Sequence, residues 1–279
     1  MPKALGSEWH ARSISIKYSG SWWAALLAYT RKFENEPPMK SKSLECHSAF
    51  CFRATALLFL AVLINIGPGC HKADPDVTEI LHAAGDGNLA KTRLLLDRNP
   101  RLVFGKNKQG FTALHYAAFN GYMETAKLLL AKNADVNAKT GKGDTALHYA
   151  AAYGYGNIAH LLISNKADVN VRDGIRETPL YDAATHDRIE EVRILLAAKG
   201  DVNLGTFRGY TPLSGAASRG REDIVRLLVD TGANVNAADF DGGTPLHWAR
   251  VGGYMGIEEV LRQNGALELP RAKSEWPYP

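Results

Sequence analysis

Beyond residue 76 the apolar positions fall into short blocks that recur in a fixed phase. In one block Leu147, Ala150 and Ala151 keep helical spacing and make a narrow apolar stripe. After a glycine a second helical block follows, as in residues 123–130 (Met-Glu-Thr-Ala-Lys-Leu-Leu-Leu) and 222–229 (Glu-Asp-Ile-Val-Arg-Leu-Leu-Val). The pattern predicts pairs of short helices joined by turns. It also predicts their stacking, because Thr112, Thr145, Thr178, Thr211 and Thr244 are each 33 residues apart. A fixed period of that length marks an array in which each unit buries its apolar face against its neighbours. The expected fold class is an all-α solenoid.

Each unit carries the same local chemistry. Gly110, Gly143, Gly209 and Gly242 stand two residues before the threonine, where a tight turn needs φ > 0. The threonines are placed as helix N-caps, accepting from backbone N–H groups of the first turn. Pro179, Pro212 and Pro245 follow at the first helical position, where a missing N–H costs nothing. Gly121, Gly154, Gly220 and Gly253 suit left-handed helix ends. Turn segments containing Asp-Val-Asn or Asn-Val-Asn close the second to fifth units; valine is expected to pack inward and the Asp and Asn to bond locally. A weaker copy opens the array at Thr78, giving six units. Three departures fall in the fourth: Arg176 replaces a turn glycine, Tyr181 a histidine and Asp187 a helix-ending glycine. Residues 178–201 are therefore expected to be the weakest joint.

Thr-Ala-Leu-His-Tyr-Ala at 112–117 and 145–150, and Thr-Pro-Leu-His-Trp-Ala at 244–249, resemble the ankyrin repeat family, whose signature is T-P-L-H-x-A. The resemblance implies a β-turn and two antiparallel helices per repeat over residues 77–269, with 270–279 as a tail. It implies that Thr112, His115, Thr145, His148, Thr178, Thr211, Thr244 and His247 are structural, each histidine bridging its threonine and neighbouring backbone. It implies a monomeric, non-enzymatic scaffold that binds a protein through a concave face of turn tips and first helices. Non-repeating residues there include Phe111, Phe119, Tyr153, Arg172, Phe207, Arg208, Tyr210 and Phe240. Aromatic and arginine side chains are what interface centres use, so these eight are the candidate partner-binding set. Some of the rings could instead pack between adjacent turns.

The first seventy residues read differently. Residues 1–38 show no sustained period and are expected to be disordered or a mis-assigned extension, with Met39 as the true start. Residues 39–70 combine Lys40, Lys42 and Arg53 with a 13-residue apolar run at 54–66, then Gly67, Pro68, Gly69 and Cys70. That run is short for a membrane span and suits an export signal. With Cys70 behind it, the segment resembles a bacterial lipoprotein signal, which implies lipidation of Cys70, export and membrane anchoring on the periplasmic side or cell surface. Gly67 and Pro68 depart from that family's lipobox. A cytosolic scaffold with an uncleaved or artefactual N-terminus is the alternative. Residues 71–76 read as a linker.

Charge sharpens this division. The net charge of +4 lies in residues 1–70, with eight Lys/Arg against four Asp/Glu; the other 209 residues carry 25 of each. The repeats thus have no overall pull toward nucleic-acid phosphates. All three cysteines, Cys46, Cys51 and Cys70, precede the repeats, so no disulfide framework or Cys/His zinc set is expected in them. No phosphate loop or catalytic constellation is legible either, and no cofactor, metal or enzymatic activity is expected.

Overall fold

Thr112, Thr145, Thr178, Thr211 and Thr244 each stand immediately before a helix, so the recurring phrase is a recurring helix start. A computed structural model describes residues 74–268, which form twelve α-helices and one 3-10 helix, Pro100–Phe104. The helices come in six pairs: α1 (Pro75–Gly85) with α2 (Leu89–Arg98), α3 (Ala113–Phe119) with α4 (Met123–Ala131), α5 (Ala146–Tyr153) with α6 (Gly156–Ser164), α7 (Pro179–Thr185) with α8 (Ile189–Ala197), α9 (Pro212–Ser218) with α10 (Glu222–Asp230), and α11 (Pro245–Val251) with α12 (Met255–Gln263). No strand occurs among the described residues. First helices pack on the first helices of neighbouring repeats, and second helices on second helices. The architecture is an all-α repeat solenoid.

The stripe seen in the sequence is the core. Leu114, Leu147, Leu180, Leu213 and Leu246 form a row of buried side chains, with Ala117, Ala150, Ala183, Ala216 and Ala249 beside them. Alanine lets consecutive first helices approach closely. Leu129, Leu162, Leu195, Leu228 and Leu261 form the matching row on the second helices. Each buried leucine contributes about 1.5–3 kcal/mol, so the stack is held by repetition of one contact.

Local caps fix where the first helices begin and end. The hydroxyls of Thr178, Thr211 and Thr244 accept from the N–H of Tyr181, Ser214 and His247, each at 3.2 Å. Gly121 ends its helix at φ 79°, with the Tyr155 ring so close that a Cβ would lie 2.5 Å from Cε1. Asp187 takes the equivalent left-handed place at φ 63°, and Arg176 takes a turn-glycine place at φ 65°.

The Asp-Val-Asn turns correct one expectation. The aspartates do bond locally, as when Asp135 Oδ1 accepts from Asn137 N at 3.0 Å. The asparagines instead cross to the next repeat: Asn137 Nδ2 donates to the Lys166 carbonyl, and its Oδ1 accepts from Asp168 N at 2.8 Å. Asn170, Asn203 and Asn236 repeat the rung. An asparagine amide offers a donor and an acceptor on one plane, so it can serve two backbone groups of the neighbouring turn. Turn tips join as well, Phe207 N donating to the Ile175 carbonyl at 2.8 Å and Phe240 N to the Arg208 carbonyl at 3.0 Å.

Candidate functional site

Two of the motif histidines, His115 and His148, lie inside the stack. His115 Nδ1 accepts from Thr112 N at 3.1 Å and lies 2.8 Å from the Thr112 hydroxyl; Nε2 lies 3.2 Å from the Asp144 carbonyl of the next repeat. An Nδ1 that accepts leaves the proton on Nε2, so the neutral ring donates across the repeat junction. His148 makes the same set with Thr145 and the Glu177 carbonyl. Burial pushes the His115 pKa down to about 4, and that of His148 is also lowered, chiefly by burial. His247 packs edge-on against Trp248, 5.3 Å between centroids. The His115 and His148 rings are joints between layers.

The candidate partner-binding aromatics divide into two groups. In the second and third repeats Phe111 is half-buried, 5.6 Å from Tyr116 and 5.8 Å from Tyr149. Phe119 lies 5.7 Å from Tyr149 and 4.6 Å from Tyr153. Tyr153 is at the exposed edge of this cluster. Offset and edge-on arrangements at such distances are favourable in themselves, so Phe111 and Phe119 bind neighbouring rings of their own stack.

The second group, on the fifth and sixth repeats, keeps its surface. Phe207 is 63% exposed and Phe240 75% exposed, with centroids 6.4 Å apart on successive turn tips. Ile175, on the preceding tip, is 57% exposed. Tyr210 is half-buried and edge-on to Trp248 at 5.6 Å. Arg208 is exposed beside them, and half-buried Arg172 offers its carbonyl to Lys139 Nζ at 2.9 Å. The eight candidates therefore do not converge on one patch.

Between the two aromatic groups, the fourth repeat presents carboxylates that the sequence reading passed over. Burial pushes the Glu177 carboxyl up to about 7, with the charge of Asp173 second. Burial and then the charge of Glu177 raise Asp182 well above the carboxylate range. Asp173 is raised too, again chiefly by burial. Aligning the units at their 33-residue period would have revealed the signal: Asp182 takes the place held by Tyr116, Tyr149 and Trp248 in other repeats. Among the described residues, no group of three His, Cys, Asp or Glu side chains is placed to hold a metal ion. No described helix is long and apolar enough to cross a membrane. Cys70 and the expected signal, linker and tail segments lie outside the described residues, apart from residues 74–76 of the linker, of which Pro75 and Asp76 already belong to α1.

Comparison with known proteins follows the same outline. The sequence model described as Ankyrin repeats matches in three copies, over residues 49–140, 138–206 and 180–268. The crystal structure of an ankyrin repeat domain from Acinetobacter baumannii superposes with a TM-score of 0.62 at 35% identity, covering 67% of this chain and 98% of that one. Among curated proteins, alpha-latroinsectotoxin-Lt1a of Latrodectus tredecimguttatus is 35% identical over 85 residues, 30% of this chain and 6% of the toxin. The human NAD-capped RNA hydrolase NUDT12 is 39% identical over 59 residues, 21% of this chain and 13% of the hydrolase. The chain thus matches only a small part of either curated relative.

Proposed function

From the premise that this chain belongs to the ankyrin repeat family, a module for protein–protein interaction, we propose that it is a non-enzymatic scaffold which binds one protein partner through its concave face of first helices and turn tips. The observation that carries this reading is the pair Phe207 and Phe240, the larger part of each ring open to solvent on adjacent, hydrogen-bonded turns. Two rings held side by side on a backbone ladder lose little freedom on binding, which is how a preorganised surface gains affinity. The same reading makes the chain a monomer exported by its N-terminal segment and tethered by lipid at Cys70. What supports export is the basic start, the 13-residue apolar run and the cysteine behind it.

Partner binding is tested by proximity labelling from a tagged copy in the native cell, followed by capture of the labelled protein with purified variants. Phe207→Ala with Phe240→Ala should weaken capture at least tenfold and move Tm by no more than about 2 °C, since both rings are solvent-facing. Unchanged capture would sink the assignment of this ridge. Tethering is read separately: Cys70→Ala should release the protein from membranes, and mass spectrometry should find the mature N-terminus at a lipidated Cys70. Membrane association that survives the substitution, or a chain that stays in the cytosol, would favour a scaffold without a lipid anchor.

A further inference from the structure

The charges of the repeats cancel in number but not in place. Acidic residues of the second helices pair within their own helix: Glu124 with Lys127, Glu190 with Arg193, Glu222 with Arg226 and Glu258 with Arg262, at 2.6–3.8 Å. The turn tips are arranged differently. Lys106, Lys139 and Arg172 stand in register at the 33-residue period. Lys108, Lys142, Arg176 and Arg208 add one cation to each of four successive tips. All are exposed except half-buried Arg172, and none joins an ion pair among the described residues.

The acidic residues on those tips turn inward. Asp144 Oδ2 accepts from the Thr140 hydroxyl at 3.1 Å and from the Tyr149 hydroxyl at 3.2 Å. Asp173 Oδ1 accepts from Ile175 N at 3.0 Å and from Glu177 N at 2.7 Å. Glu177 is half-buried, and burial pushes its carboxyl up to about 7. What these tips show to solvent is therefore positive. They also lie on one line: Gly141 N donates to the Gln109 carbonyl at 2.7 Å and Gly174 N to the Lys142 carbonyl at 2.6 Å, and the same bond runs on through Ile175–Phe207 and Arg208–Phe240.

The ridge so formed is cationic over the second to fourth repeats and ends in the exposed rings Phe207 and Phe240. Beside Phe240 the sign changes, because Asp241 is exposed. Apart from Arg208, the cations precede the rings along the ridge and do not alternate with them. A nucleic acid needs cations beside each stacked base. A membrane surface would strip water from Asp241 as Phe240 entered it. A protein segment fits the observed order, since it can carry its acidic and its apolar residues in separate places.

We infer that the turn-tip ridge takes an extended acidic segment of the protein partner, its carboxylates over the tips of the second to fourth repeats and an apolar residue against Phe207 and Phe240. The inference rests on the reading of that pair as a partner-binding site and adds the chemistry that the partner must bring. Single exposed ion pairs contribute little, so the segment must engage several tips at once. Helices packed at about 8–10 Å put the second and sixth tips roughly 32–40 Å apart, a span of about ten to twelve extended residues.

The test is fluorescence anisotropy of labelled acetyl-Glu-Glu-Gly-Glu-Glu-Gly-Glu-Glu-Ser-Leu-Phe-Leu-amide with the purified full chain, beside the same sequence reversed and twins with glutamine for each glutamate. The acidic peptide, in one direction or the other, should bind at least tenfold more tightly than its twin, and about 0.5 M salt should close that margin. Lys108→Glu with Lys142→Glu should abolish the margin and move Tm by no more than about 2 °C, since both side chains are exposed. The same variant should gain affinity for the peptide with lysine in place of glutamate. Equal binding of the twins, no binding at millimolar peptide, or a margin that survives the charge reversal would overturn the inference. So would tighter binding, at equal salt, to phosphatidylcholine–phosphatidylglycerol vesicles or to single-stranded oligothymidylate than to the acidic peptide. Capture of the labelled cellular partner distinguishes the two levels. Loss on Phe207→Ala/Phe240→Ala with none on Lys108→Glu/Lys142→Glu defeats only the acidic segment; no loss on either defeats the binding face.

Discussion

Protonating His115 would break the joint it makes, because its Nδ1 must accept from Thr112 while Nε2–H reaches the next repeat. Burial lowers its folded pKa to about 4 from 6.5. A histidine with a lowered folded pKa stabilises fully above its unfolded value, and that stability is lost as pH falls from 6.5 toward 4. The span corresponds to about 3 kcal/mol. Glu177 acts with the opposite sign. Its folded pKa, raised to about 7 from 4.5, favours the fold below 4.5 and withdraws that contribution as pH rises through 7. The two slopes oppose each other in mildly acidic solution, so the wild-type curve alone cannot separate them. His115→Gln should be less stable at pH 7.5 yet lose about 2 kcal/mol less than wild type between pH 6.5 and 4. Urea melts at the two pH values check it, and parallel curves for the two proteins would refute the assignment.

At the scale of the element, the fourth repeat concentrates backbone cost. Arg176, Asp187 and Lys199 all adopt positive φ, at 65°, 63° and 66°. The other turn tips use Gly110, Gly143, Gly209 and Gly242 where this one uses Arg176. A left-handed L-residue costs roughly 1–2 kcal/mol. Arg176→Gly should therefore stabilise the chain by about 1 kcal/mol and raise Tm by about 2–4 °C, less whatever the freer unfolded glycine takes back; a thermal melt in which Tm stays level or falls would show that Arg176 makes a contact worth more than the strain. Turns, caps and helix spans were legible because their chemistry is local: threonine, proline and glycine act within a few residues of themselves. The asparagine rungs were not, since Asn137 meets its partners 29 and 31 residues later. The split among the candidate aromatics escaped for the same reason. Phe111 and Phe207 look alike in sequence, but Phe111 meets Tyr149 from the following repeat, whereas Phe207 meets another exposed ring. Asp182 was accessible in principle, because the period that revealed the fold also aligns it with two tyrosines and a tryptophan.

For the whole molecule, the main packing among the described helices runs within each repeat and between neighbouring repeats. Stability is then close to a sum of repeat terms and junction terms, and damage at one layer matters most where it uncouples the layers on either side. Leu180 sits at such a place, 1% exposed on the first helix of the fourth repeat, with three repeats before it and two after. Leu180→Ala should cost about 2–5 kcal/mol by leaving a cavity. In a single globular core that loss would lower one transition. Here the fourth repeat already holds three left-handed non-glycine residues, so the junction should open while the outer layers persist. Three stacked repeats are about the fewest that stand alone, so the first three should survive as a unit and the last two should not. Hydrogen exchange on Leu180→Ala should accordingly strip protection from α7 through α12 while α1 through α6 keep most of theirs, and the urea melt should broaden or divide. Uniform loss of protection with one sharp transition would mean that the junctions are strong enough for the array to unfold as a single body.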